Sequence, residues 1–201
     1  MRTFFRWVIL LLSVGVAGFG LYAYLVLTPG TTVHPELKAA YAANPVRIVL
    51  HVAFSAVALL VGPLQFFPGL RRRVRLHRAL GYIYFTGVLG GGAAGLATAF
   101  IAYGGLVGRA GFAMLALAWL WTGLAALVAI KRRDFAAHER WAVRSFALCF
   151  AAVTLRLWLP LAMVSGLRFE DFYPAVAWLC WVPNLLLVEW VLLRPRHPAQ
   201  T

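Results

Sequence analysis

The chain has 201 residues, of which 63% are hydrophobic and 12% charged, and its mean hydropathy is +0.81. A water-soluble domain is usually ~45–50% apolar and ~25% charged, so this balance excludes an ordinary soluble enzyme, a disordered regulator and a fibrous protein. The net charge of +13 does not imply nucleic acid as a partner, because the basic residues form short clusters between apolar runs instead of lining one polar face.

A helix needs ~20 predominantly apolar residues to cross ~30 Å of hydrocarbon. The sequence divides into six such runs, at 6–27, 46–68, 79–102, 107–130, 140–164 and 173–193. The expected fold is an all-α integral membrane bundle, one domain over 1–201 with nothing left for a soluble domain. The first run exceeds the ~7–15 apolar residues of a signal-peptide core and lacks a convincing small-residue cleavage site, so it is read as a retained helix. Residues 28–45, with Pro29, Gly30, Pro35, Asn44 and Pro45, read as the longest loop.

The second run carries His51 about one and a half turns in, at a depth where a polar side chain is costly. Gln65 follows fourteen residues later, nearly four turns of one continuous helix, which puts both on one face. Arg71-Arg72-Arg73 then precede His77, and Gly81 stands four positions beyond the histidine. In the third run Gly90-Gly91-Gly92-Ala93-Ala94-Gly95 formally matches G-x-G-x-x-G. That fingerprint needs a strand before it, and these glycines lie inside an apolar helix. Their meaningful pattern is Gly87, Gly91, Gly95 and Ala99, small residues on one face that admit a neighbouring helix, a flat ligand or a lipid.

After the fourth run the tribasic pattern returns, with Lys131-Arg132-Arg133 before His138 and Ala142 four positions on. If the two hairpins are equivalent units, His77 and His138 stand at one depth and can face each other. Paired neutral imidazoles across a bundle are the usual ligands of haem b, and a small residue at i+4 leaves room for a porphyrin edge. The same histidines, among arginines at the edge of the hydrocarbon, also fit an interfacial structural role or a catalytic one.

In the fifth run Arg156 is the costliest residue, at ~2.5 kcal/mol or more in hydrocarbon unless it is paired, hydrated or snorkelling. His51, Thr154, Trp178, Trp181 and Asn184 share its expected depth, and no carboxylate does. It is expected to face the bundle interior and to meet backbone carbonyls, water or an anionic ligand group. Cys149 and Cys180 sit in apolar runs as small hydrophobes, not as a disulfide framework. Near the end of the sixth run Glu189 joins Gln65, His77, His138 and Arg144 at one level. That level holds either a functional cluster or a simple Arg144–Glu189 salt bridge, and the bridge is the preferred reading. Trp7, Tyr103, Trp141, Tyr173 and Trp190 read as interfacial aromatic anchors.

Alternation of loops gives one side fourteen basic residues (Arg2, Arg6, Arg71, Arg72, Arg73, Arg75, Arg78, Lys131, Arg132, Arg133, Arg140, Arg144, Arg194, Arg196) and the other four (Lys38, Arg47, Arg109, Arg168). Cytoplasmic loops carry such an excess, so both termini are expected in the cytoplasm and the basic face against anionic phospholipid.

His51, Gly62-Pro63-Leu64-Gln65-Phe66, Leu76 to Tyr84, His138 to Ser145, Thr154-Leu155-Arg156, Ala177 to Asn184 and Glu189-Trp190 together resemble a family of predicted bacterial multi-pass membrane proteins, the domain of unknown function 2306, over about 46 to 193. That resemblance implies a bacterial inner-membrane protein and brings no activity with it. The His77 and His138 arrangement alone is loosely similar to four-helix membrane b-type cytochromes, which is analogy. Three functions stay open. One is a haem b-binding or quinone-linked electron-transfer protein, with Arg71 to Arg73, Arg78 or Arg144 on the propionates and Trp141 or Tyr84 on the ring. The second is a non-catalytic lipid-binding or scaffold subunit with a membrane-protein partner or a second copy. The third is a small transporter, for which no broken helix pair is evident.

Overall fold

The computed structural model describes residues 2–27 and 31–192, with every described element helical and six rods long and apolar enough to cross a membrane. Pro29, Gly30, Arg194 and Arg196 lie outside the described residues, as does the side chain of Arg2. Span one is α1 (Arg2–Leu21), which widens into a π turn at Tyr22–Val26. Span two is α3 (Pro45–Val61), span three α5 (Val74–Ala99) and span four α6 (Gly105–Lys131). Span five joins α7 (Phe135–Cys149) to α8 (Ala151–Val164), and span six joins α9 (Phe169–Leu179) to α10 (Val182–Leu187).

The boundaries depart from the hydropathy runs where helical residues are not apolar. Span three begins at Val74 and span five at Phe135, so both histidines after the basic clusters lie in first helical turns. Asp134 caps α7 by accepting from Ala137 N at 2.9 Å. The expected loop 28–45 holds a helix, α2 (Pro35–Ala43), with His34 as cap, Pro35 in the first turn and Glu36 near the positive end of the dipole. A short α4 (Pro68–Arg72) follows span two.

Span two is not one continuous helix. Pro63 has no N–H to continue the ladder, and Pro63–Phe66 tightens to a 3₁₀ turn. Gln65 therefore does not share the face of His51 through four regular turns.

The glycine stripe of α5 packs against α3. A methyl group on Gly87 would meet Ala58 at 2.9 Å, on Gly91 the Ser55 hydroxyl at 2.6 Å, and on Gly95 the His51 ring at 2.8 Å. Gly92 serves α6 in the same way, with Leu120 at 2.7 Å. Such close approach replaces the hydrophobic drive that lipid cannot supply. Leu148, Val153 and Val176 are buried at the centre, while Leu106 (84% exposed) and Val164 (87%) cover the lipid-facing surface.

Spans five and six are both interrupted, which the sequence reading did not anticipate. Span five turns at Phe150, and span six turns at Cys180 and Trp181. Pro183 cannot donate to Leu179 O, which accepts instead from Trp158 Nε1 at 3.1 Å. Cys180 O accepts from Thr154 Oγ1 and from Asn184 Nδ2, the latter at 3.0 Å. Asn184 Nδ2 also reaches Thr154 Oγ1 at 3.1 Å and Ala147 O at 3.2 Å. In hydrocarbon a freed carbonyl must find a donor within the protein, and span five supplies these.

Candidate functional site

A cavity of about 370 Å³ lies in the half of the bundle nearer α2, with residues of all six spans in its wall. Its wall is mostly aliphatic and aromatic. Its polar groups are few, chiefly His51, Ser55, Arg156 and the tyrosines Tyr24, Tyr41 and Tyr173. A concave, largely apolar space with a few convergent polar groups is the usual form of a small-molecule site, at the lower end of ~300–1,000 Å³.

Each polar side chain is placed by its helix. His51 projects from α3 onto the glycine stripe, where its Nδ1 lies 2.8 Å from Gly91 O and 3.4 Å from Ser55 Oγ. A carbonyl only accepts, so Nδ1 carries the proton and a neutral ring keeps its lone pair on Nε2. The absence of a side chain at Gly95 leaves the space that the ring fills.

Arg156 projects from α8, and its Nη1 donates to Ala152 O at 2.9 Å. Tyr24 and Tyr41 lie within electrostatic reach of the guanidinium, with ring centroids 6.0 Å apart. It faces inward, as its cost in lipid requires. Among the described residues no carboxylate pairs with it. Glu139 holds Arg71 at 3.1 Å, Glu189 holds Arg144, Glu170 and Asp171 hold Arg168, and Asp134 caps α7. Glu36, the remaining acid, lines a separate surface pocket beside Arg109.

The cavity is roofed by α2, which contributes Leu37, Ala40 and Tyr41. His34 stacks on Phe169 at the start of span six, with centroids 3.8 Å apart and planes 7° from parallel. Burial pushes the Tyr41 hydroxyl well above the usual phenol range, and Tyr173 and Tyr24 act in the same direction, so it remains a donor at neutral pH.

Of the residues expected around Arg156, His51 lines the same cavity, whereas Trp178, Trp181 and Asn184 are committed to backbone carbonyls. Trp178 Nε1 donates to Val107 O at 3.1 Å and Trp181 Nε1 to Ala177 O at 2.9 Å, and Asn184 holds the break. The break in span six rotates these side chains away from where a straight helix would put them. Tyr173, read as an interfacial anchor, is instead 6% exposed and turned inward, while Trp190 is 69% exposed as an anchor should be. Sequence reasoning missed Tyr24 and Tyr41 as site residues. The His34-Pro35-Glu36 cap-and-start signal could have found the helix that delivers Tyr41.

At the opposite, arginine-rich end, Arg144 and Glu189 form the expected salt bridge, Nη2 to Oε2 at 2.8 Å, with the guanidinium 4.7 Å above the Trp141 ring. Arg71 and Glu139 tie the two basic turns together. His138 turns its Nδ1 to Ala126 O at 2.9 Å, and His77 lies within electrostatic reach of it with Nδ1 buried and unpartnered among the described residues. Gln65 Nε2 is likewise buried without a partner. Tyr84 donates to or accepts from Ser145 Oγ at 2.9 Å. Among the described residues no group of three or more His, Cys, Asp or Glu is placed to hold a metal ion.

A family model described as a predicted membrane protein (DUF2306) matches residues 48–192. No curated protein and no solved structure matches the chain.

Proposed function

Since the chain belongs to the DUF2306 family of predicted membrane proteins, we propose that this multi-pass protein binds a small amphipathic molecule of the bilayer in the cavity under α2. The observation that carries this reading is the convergence of His51, Ser55, Arg156 and the tyrosines Tyr24, Tyr41 and Tyr173 on a mostly apolar space. Quinones and lipids are both ligands of this kind, and the protein acts as a binding or accessory subunit or as one element of quinone-linked electron transfer. The bacterial inner membrane, both termini cytoplasmic and anionic phospholipid at the basic face belong to the same proposal, supported by the fourteen-to-four charge asymmetry.

The test is extraction of the purified protein with organic solvent, followed by mass spectrometry. The wild type carries a stoichiometric amphiphile, and Ala40→Trp, which fills the cavity from the lightly packed α2, loses it. Equal recovery from both proteins would overturn the reading.

Haem b between His77 and His138 is a second reading, favoured by one observation. An Nδ1–H bond to a carbonyl, as His138 makes to Ala126, is how a metal-ligating histidine is usually oriented. Against it, Arg71 and Arg144, expected on the propionates, are paired with Glu139 and Glu189. An absorption spectrum with and without dithionite decides, because a haem gives a Soret band that neither His77→Ala nor His138→Ala would keep.

A further inference from the structure

Resting on the cavity as the binding site, we propose that its ligand is a single-chain carboxylate whose head pairs with Arg156 and whose tail runs toward lipid beside α1. Arg156 lies eight residues before the end of α8 at Val164, ~12 Å at ~1.5 Å per residue, at a depth where a lone cation is expensive. Of the six side-chain carboxylates of the sequence, four are in ion pairs and Asp134 caps α7, while Glu36 lines a separate pocket. The counter-charge must therefore be brought in by something that is not a side chain of this protein.

The charge of that visitor is limited. Among the described residues Arg156 is the one permanent cation lining the cavity, and His51 has its Nδ1 proton on Gly91 O. A single guanidinium matches a monoanion, and its planar fork matches a carboxylate, with one Nη1 proton already on Ala152 O and others free to point inward. Tyr41 hydrogen-bonds Tyr24 near the guanidinium, which leaves the Tyr24 hydroxyl as a donor to the same oxygens. A phosphate monoester, with its second charge, has no second cation to meet.

The shape of the space favours one chain. Behind Arg156 the wall is apolar, and Phe19, which lines the cavity, is also 50% exposed on the outer face of the bundle. The cavity thus reaches the lipid-facing surface next to α1, and a methylene chain can leave there without crossing water. A two-chain phospholipid would have to bring its glycerol and both chains through the same opening.

The experiment compares dodecanoate, dodecan-1-ol, decylubiquinone and phosphatidylglycerol as ligands of the full chain in maltoside micelles, read by thermal stability and by titration calorimetry. Dodecanoate should raise the melting temperature and bind at least about tenfold tighter than dodecan-1-ol, a charge-assisted bond being worth roughly that factor or more. Arg156→Leu should remove the difference and Arg156→Lys keep part of it. Equal binding of the acid and the alcohol would overturn the carboxylate inference while the cavity reading stands. Preference for phosphatidylglycerol over dodecanoate would overturn it in favour of a phosphodiester. Failure of all four would overturn both readings. The wild-type comparison of acid with alcohol decides even if Arg156→Leu does not fold.

Discussion

A methyl group added at residue 95 would lie 2.8 Å from His51 Nδ1, and one added at residue 91 would lie 2.6 Å from Ser55 Oγ. Gly91→Ala and Gly95→Ala should therefore each destabilise the fold by about 1–3 kcal/mol through overpacking, measured by reversible unfolding in mixed micelles. Gly18→Ala has open space around it and should change stability by less than about 1 kcal/mol. Glu189→Gln should cost less than about 1 kcal/mol, because the Arg144 pair is partly exposed and the guanidinium keeps its place over Trp141. His51 and Arg156 were legible in the sequence because a polar group at that depth is costly wherever the helix turns. The tyrosines were not. A tyrosine near the end of a span reads the same whether it anchors at an interface or turns inward, and Tyr173 does the second.

The interruption of span six depends on span five. Asn184 donates to Ala147 O, Thr154 Oγ1 and Cys180 O, so Asn184→Leu should destabilise by about 1–3 kcal/mol, at ~0.6–1.7 kcal/mol for each interhelical bond in a membrane. Thr154→Val together with Asn184→Leu should cost less than the sum of the two, since both serve the same carbonyl. The six spans were readable from hydropathy because hydrocarbon imposes length and composition. The breaks were less so. Pro183 marks a lost donor, but whether a proline kinks or breaks a helix depends on which neighbours satisfy the freed carbonyl. At the roof of the cavity, α2 is held to span six by the stacking of His34 on Phe169. His34→Ala should speed maleimide labelling of a cysteine placed at residue 40, and an unchanged rate would show that the stack does not hold α2 down.

Across the whole molecule, one end carries α2 and the other carries the basic turns, and the proposed orientation puts the second in the cytoplasm. A cysteine at residue 38 should react with an impermeant maleimide from outside intact cells and one at residue 134 should not, whereas strong labelling at 134 would invert the topology. Cys149 and Cys180 are 6% and 0% exposed, so the native thiols give little background. The divided sixth span also bears on biogenesis. Its halves, 11 residues in α9 and 6 in α10 continued by a 5-residue π turn at Val188–Leu192, are each shorter than the ~20 residues a crossing needs. Alone in lipid, Leu179 O would face hydrocarbon with no donor in any helical form, because Pro183 has no N–H, and Cys180 O would keep only Asn184 of its own span. The break is therefore completed when Trp158 of span five supplies the donor for Leu179 O and Thr154 a second one for Cys180 O. Span five thus acts as a template on which the last segment acquires its shape. Trp158→Phe should then keep the span but leave Leu179 O without its donor, at a cost of about 1 kcal/mol in reversible unfolding.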